Sequence, residues 1–128
     1  MIDMDGLKQV NDTFGHRAGD AVIAEFASRI KAVARLSDTV ARLGGDEFAI
    51  ILAPVDLPEG IAAAMQRLTR KIDTPFLFEG RMYQLRASIG AAQYPEEGND
   101  INRLIELADH RMYATKRERK GRAGTPPR

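Results

Sequence analysis

Thr39–Ile51 reads TVARLGGDEFAII, two glycines and two adjacent carboxylates between two apolar runs. Thr39–Leu43 and Phe48–Leu52 each have the length and composition of a strand, and Gly44-Gly45 supplies a turn, so the stretch predicts a β-hairpin. Consecutive residues on a regular strand point to opposite faces. Asp46 and Glu47 can therefore converge on one point only if the turn is irregular, which a double glycine permits. Two readings fit these residues alone: a glycine turn with solvated acids, or the edge of a metal-binding site.

On the N-terminal side, Met1–Asp5 is strand-like, and Asp3 and Asp5, two apart, share a face. Lys8–Phe14 predicts a short helix or turn, punctuated by Gly15 and Gly19. Asp20 fits an N-cap for a helix running to about Arg35, with Val22, Ile23, Phe26, Ile30 and Val33 at helical spacing. On the C-terminal side, Pro54 and Pro58 interrupt the chain, and a helix follows over Pro58–Lys71 with Ile61, Ala64, Met65 and Leu68 on one side. Phe76–Phe78 and Met82–Leu85 predict a second hairpin about Glu79-Gly80, its return strand continuing through Ser88–Ala92. Ile101 to about Glu118 predicts the last helix, with Leu104, Ile105, Leu107, Ala108 and Met112 facing inward. The order β-α-α-β-β-α-β-β-α predicts an α+β fold with helices packed against the sheet.

The chain has 128 residues, the size of one domain, with 44% hydrophobic and 29% charged residues, a globular balance. It contains no cysteine, which excludes disulfides and thiolate metal sites. No apolar run reaches the length of a membrane span, and Met1-Ile2-Asp3 does not open a signal peptide, so a cytoplasmic location is the default expectation. A net charge of +1 gives no reason to expect nucleic acid as a partner. The basic residues do concentrate at the end, where KRERKGRAGTPPR from Lys116 carries six Lys or Arg against one Glu. That pattern fits first a solvated helix end running into a tail, and as the rival a phosphate-binding end.

If the first strand lies beside the hairpin, Asp3, Asp46 and Glu47 form an acidic cluster at one end of the sheet. Mg²⁺ binds through one or two carboxylates together with substrate phosphates, and two such ions can clamp an in-line phosphoryl displacement. The glycines Gly44 and Gly45 leave room for a nucleotide against the backbone. Asn11 with Asp20 offers the amide and carboxylate that could read the N1–H, N2–H₂ and O6 edge of guanine, although a turn residue and a helix N-cap explain them as well. His16 after Gly15 fits a capping or packing histidine. Arg35 and Asp38 fit a cation at a helix C-terminus plus a turn aspartate, or a pair that holds a purine edge and a phosphate of a second ligand.

Together these pieces resemble the GGDEF family, the diguanylate cyclases, over nearly the whole chain. IDMDGLKQVNDTFGHRAGD is similar to the family's first strand and guanine-binding segment. RLGGDEFAIIL carries its signature, ASIGAA its later core strand and ADHRMYATK its final helix. The resemblance implies a palm-like nucleotide-cyclase fold with a central, mostly antiparallel sheet flanked by helices. It places the domain at residues 1–122, with 123–128 as a flexible tail. It implies condensation of two GTP into cyclic di-GMP with release of pyrophosphate, and hence a second GGDEF domain facing the first as a homodimer.

By position, the resemblance implies Mg²⁺ (or Mn²⁺) held by Asp3, the Met4 carbonyl, Asp46 and Glu47, with Asp46 or Glu47 helping to deprotonate the attacking hydroxyl. It implies guanine contacts from Asn11 and Asp20, phosphate contacts from Lys8 and Lys116, and places for His16, Gly44 and Gly45 in the substrate site. Arg35 and Asp38 match the family's RxxD product-inhibition site for cyclic di-GMP. Two departures stand out. The family's upstream helix and D-x-L-T-G-L-x-N-R-R segment do not precede Met1, so weak or no activity is expected of this chain alone. The family's final Lys-x-x-Gly-Arg-Asn is replaced by Lys116-Arg-Glu-Arg-Lys-Gly121-Arg122-Ala, which leaves open whether Lys120 or Arg122 approaches phosphate. The alternative is a module that binds GTP or cyclic di-GMP without turnover.

Overall fold

The computed structural model describes residues 1–54 and 60–123. The elements run β1 (Ile2–Met4), α1 (Leu7–Phe14), α2 (His16–Val33), β2 (Thr39–Gly44), β3 (Glu47–Ile51), α3 (Gly60–Ile72), β4 (Phe76–Phe78), β5 (Arg81–Tyr83), β6 (Ala87–Ile89) and α4 (Ile101–Ala123). Four strands form an antiparallel sheet in the order β2-β3-β1-β6, and β4-β5 is a separate hairpin. The fold is α+β.

Register assigns the two faces. Ile2 lies opposite Phe48 and Ile89, and Met4 opposite Ala87. These residues therefore share one face, and they meet Val22, Phe26 and Ile30 of α2 and Leu68 and Ile72 of α3 in the core. Phe26 and Phe48 pack at 5.3 Å between ring centroids. Phe26 is fully buried, and burial of such a ring contributes about 1.5–3 kcal/mol. Ala18, Val22, Phe26 and Ile30 recur every fourth residue, which is why α2 is the central helix.

The opposite face carries Asp3, which lies across from Glu47 and Ser88. Helix α4 covers the β6 side of this face. Gly90, in step with Ser88, lies so close to it that a Cβ there would run into the backbone at Ala108 and Met112. Only glycine allows that approach, and it sets the height of α4 over the sheet.

Several sequence expectations are corrected. Helix α2 begins at His16 with Gly15 as its N-cap, so Asp20 lies inside the helix and caps nothing; the helix ends at Val33 rather than Arg35. The predicted single return strand is two strands in different sheets, β5 and β6, because the chain turns away at Gln84–Arg86 to bury Leu85. Ile105 is exposed, and the inward contacts of α4 come from Ala108 and Met112. That helix continues to Ala123, past Glu118. The expected helix start at Pro58 and tail residues 124–128 lie outside the described residues.

Candidate active site

The signature turn is displaced by one residue from the sequence expectation. Gly44 still pairs with Glu47, after a register shift between Arg42 and Gly44, so the loop is Gly45-Asp46. Gly44 (φ 148°) and Gly45 (φ 50°) both take backbone conformations that side chains disfavour. The Arg42 guanidinium donates from Nε (3.1 Å) and from a terminal nitrogen (2.9 Å) to the Gly45 carbonyl, fixing the loop. Beyond it, the Met4 amide donates to the Asp46 carbonyl at 2.8 Å, which ties the loop to β1.

The turn places its two acids differently. Glu47 is in the strand, directly across from Asp3, and directly opposed side chains share a face with Cβ atoms about 5 Å apart. Asp46 is in the loop, free of strand alternation, and its charge acts on the Asp3 carboxyl. Asp5, two residues on from Asp3, accepts from Ser88 Oγ at 3.1 and 3.2 Å.

Two cations from α4 reach this acidic face. Lys116 Nζ donates to Asp3 Oδ2 at 2.7 Å, and an Arg119 terminal nitrogen lies 3.5 Å from Asp5 Oδ2. Asp3 is buried, 4% exposed, and its second oxygen, Oδ1, has no hydrogen-bond partner. Burial pushes the Asp3 carboxyl above its ordinary value; the Lys116 hydrogen bond opposes this, and the Asp46 charge adds to it. Burial works to lower the Lys116 ammonium, but the hydrogen bond to Asp3 and the charges of Asp3, Asp46 and Asp5 win and raise it.

A buried carboxylate oxygen without a donor loses its hydration and gains nothing in return. That orphaned oxygen, beside Asp46 and across from Glu47, fits a divalent cation that takes one or two protein carboxylates and completes its shell with phosphate and water. It does not fit a closed all-protein cage. Among the described residues no group of three His, Cys, Asp or Glu side chains is placed to hold a metal ion by itself.

The other predicted residues fall in two places. Asn11 of α1 lies over Gly19 of α2 so closely that a Cβ at 19 would overlap its amide, and Asp20 is the next residue. Asp20 also lines a groove of about 540 Å³ between α2 and the β2–β3 hairpin, with Ile23, Lys31, Arg42 and Phe48 among its walls. Asn11 thus packs on Gly19, one residue from Asp20, and Asp20 lines the groove. Lys8 lies exposed on α1, His16 is exposed at the start of α2 and so is not a packing histidine, and Gly44 and Gly45 are exposed.

Arg35 and Asp38 stand apart from the acidic face, between α2 and β2. The Asp38 carboxylate accepts from the Arg35 amide at 2.7 Å and the Ala53 amide at 2.9 Å, and Arg35 Nε lies 3.7 Å away. These two backbone hydrogen bonds hold its carboxyl below the usual range. The Asp38 side chain is 2% exposed, while that of Arg35 is 55% exposed.

Sequence reasoning missed the pairing of Lys116 with Asp3 and the roles of Asp5, Ser88, Arg119 and Arg42. It also missed Arg29, a buried arginine whose guanidinium donates to the Ile72, Thr74 and Pro75 carbonyls and pairs with Glu25, closing the C-terminal end of α3. The alternation of acids on β1 with basic residues three apart on the last helix was the available signal for the ion pairs. For Lys120 and Arg122, helical spacing gives a partial answer. Lys120 is four residues after Lys116 and on its side of α4; Arg122 is on another side.

Residues 1–122 match the family described as Diguanylate cyclase, GGDEF domain. The bifunctional diguanylate cyclase/cyclic di-GMP phosphodiesterase MucR of Pseudomonas aeruginosa is 40% identical over 90% of the chain, and diguanylate cyclase TpbB of the same species is 41% identical over 94%. The chain spans only 17% and 28% of those two proteins. Among solved structures, the GGDEF domain of P. aeruginosa TpbB superposes with a TM-score of 0.85 at 40% identity, covering 91% of this chain and 73% of that one. The GGDEF domain of DgcB from Caulobacter crescentus, solved in complex with c-di-GMP, gives a TM-score of 0.79 at 31% identity, covering 91% and 70%. No helix among the described residues is long and apolar enough to cross a membrane.

Proposed function

The chain belongs to the GGDEF family, and on that premise we propose that it is a diguanylate cyclase domain that condenses two GTP into cyclic di-GMP, using a divalent metal, Mg²⁺ or Mn²⁺. The observation that carries this reading is the buried, unpartnered Oδ1 of Asp3, set beside Asp46 and across from Glu47. A module that binds only cyclic di-GMP at Arg35 and Asp38 has no use for a metal at that carboxylate.

Asp3, Asp46, Glu47 and the Met4 carbonyl would hold the metal. When bound, it would supply positive charge to the triphosphate and help a hydroxyl lose its proton. Asn11 and Asp20 orient guanine. Lys8 and Lys116 neutralise charge on the phosphates, and Lys116 can turn from Asp3 to phosphate because its long stem is already part-exposed. Gly44 and Gly45 let the nucleotide approach the backbone. Asp46 or Glu47 takes the proton of the 3′-hydroxyl. That oxygen bonds to the α-phosphorus of the other GTP as the bond to pyrophosphate breaks. The same exchange in the opposite sense closes the ring, so two such domains must face each other as a homodimer.

Cyclic di-GMP is the product we assign to Arg35 and Asp38. The carboxylate of Asp38 is committed to two backbone amides, so the exposed guanidinium of Arg35 is the group available to a ligand there. Calorimetry with cyclic di-GMP on Arg35→Ala checks that assignment; undiminished binding removes it. The cyclase reading is tested by GTP turnover with Mg²⁺, for this chain and for a version extended upstream. We expect cyclic di-GMP from the extended protein and little from the short chain. GTP or cyclic di-GMP binding with no product from either makes the domain a binding module.

A further inference from the structure

We propose that Arg119 is a positioning residue, acting through Asp5 to hold Lys116 in register over Asp3; the inference rests on the cyclase reading. Helix α4 packs along β6, the neighbour of β1, and two of its long side chains reach past β6 to acids at β1 and just after it. Gly90, hydrogen-bonded through its amide to the Met1 carbonyl at 3.0 Å, takes the close approach of Ala108 and Met112. Thr115 Oγ1 donates to the Ile89 carbonyl at 3.4 Å. Lys116 then meets Asp3, and Arg119 meets Asp5. Residues three apart on a helix share a side about 4.5 Å further along, and residues two apart on a strand share a face about 6.6 Å further along.

The glycine contact fixes α4 at its middle and leaves its C-terminal end to be fixed by other means. Asp5 provides that point. Its carboxylate is oriented by Ser88 from β6, so Arg119 docks on a group held by two strands at once. With Arg119 docked, the ammonium is presented to Asp3 Oδ2 and leaves Oδ1 uncovered, which is the arrangement a metal and a triphosphate can use. In the family pattern the residue three after this lysine is glycine, so the arginine belongs to the stretch in which this chain departs from its family.

The Arg119–Asp5 pair is part-exposed, and such pairs add little to stability. Its effect is expected in geometry. The test uses the full chain with its upstream extension, in two arms. The first follows the ¹⁵N signal of the Lys116 ammonium in metal-free protein, assigned by its loss in Lys116→Ala. We expect Arg119→Ala to broaden or remove that signal with a Tm change of no more than about 5 °C, and Arg119→Lys to retain it. The second arm is a double-mutant cycle on GTP turnover. Arg119→Ala should lower kcat/KM roughly 10-fold, and Arg119→Ala with Lys116→Ala should be no worse than Lys116→Ala alone. An unchanged ammonium signal in Arg119→Ala, or losses that multiply in the double variant, overturns the proposal. Because the first arm needs no nucleotide or metal, absence of turnover in the parent protein leaves it decisive and counts against the cyclase reading alone.

Discussion

Asp3 and Asp38 are both sequestered carboxylates with one cationic partner, and their carboxyls shift in opposite directions. Asp38 accepts two backbone amides at 2.7 and 2.9 Å, and its carboxyl is held low. Asp3 has one ammonium at 2.7 Å, a second oxygen with nothing, and Asp46 close by, and its carboxyl is pushed up. Burial of the charge comes first for Asp3 and the two backbone amides come first for Asp38; the company of Asp46 adds to the contrast, since the residue type is the same. Asp38 has spent its hydrogen-bonding capacity on joining α2, β2 and the end of β3. Asp3 has capacity left over at a cost to the fold, and such unreconciled groups concentrate where function needs them.

The largest expected effect is on chemistry at Asp3. Asp3→Asn should lower GTP turnover in the extended protein by at least about 100-fold, yet leave thermal stability near the parent's. The variant removes a charge that is costly to bury, and Lys116 can turn to solvent. A large loss of Tm in Asp3→Asn would break the contrast by making Asp3 a fold residue too. Next comes Asp38→Ala, which strands two backbone amides and should cost about 1–3 kcal/mol in chemical denaturation.

The pH dependence sharpens the contrast by sign. The Asp38 carboxyl is lower in the fold than its ordinary value of 3.8. Its stabilisation is therefore present above that value and is lost as pH falls through the folded value. The gap between the parent and Asp38→Ala should close in acid. The Asp3 carboxyl is raised above 3.8, so the proton favours the fold, and that contribution is lost as pH rises through the folded value. Stability of Asp3→Asn relative to the parent should therefore improve from acid to neutral pH. Denaturation midpoints between pH 3 and 7 measure both slopes. The smallest effect is expected at Gly19→Ala. The added methyl displaces the Asn11 amide, a flexible group, so KM for GTP should rise by about 3- to 10-fold with little change in unfolding; an unchanged KM would take Asn11 out of the guanine site.

Much of the fold was legible because it rests on periodicity. The fourfold spacing of Val22, Phe26 and Ile30 and the apolar runs around Gly44-Gly45 are local signals. The site was legible by type and only partly by geometry. Asp46 and Glu47 were seen as acids that needed an irregular turn, but a sequence does not say that Gly44 stays paired and the loop is Gly45-Asp46. Asp20 offered both a cap and a ligand, and the cap reading failed because Gly15 had already started the helix. The ion pairs join residues 113 and 114 positions apart, and such distances leave no local trace. The break between β5 and β6 was hidden for a related reason: the demand to bury Leu85 comes from the core, and strand propensity does not record it.

The central claim is that Asp3 is kept for a ligand and Asp38 for the fold. The most direct measurement is thermal unfolding at pH 7 of the extended protein, Asp3→Asn and Asp38→Asn, with and without Mg²⁺ and a non-hydrolysable GTP analogue. The parent should gain Tm with ligand by mass action. Asp3→Asn should keep the parent's unliganded Tm and lose the gain, whereas Asp38→Asn should lose Tm and keep the gain. A full ligand-induced shift in Asp3→Asn would contradict the account.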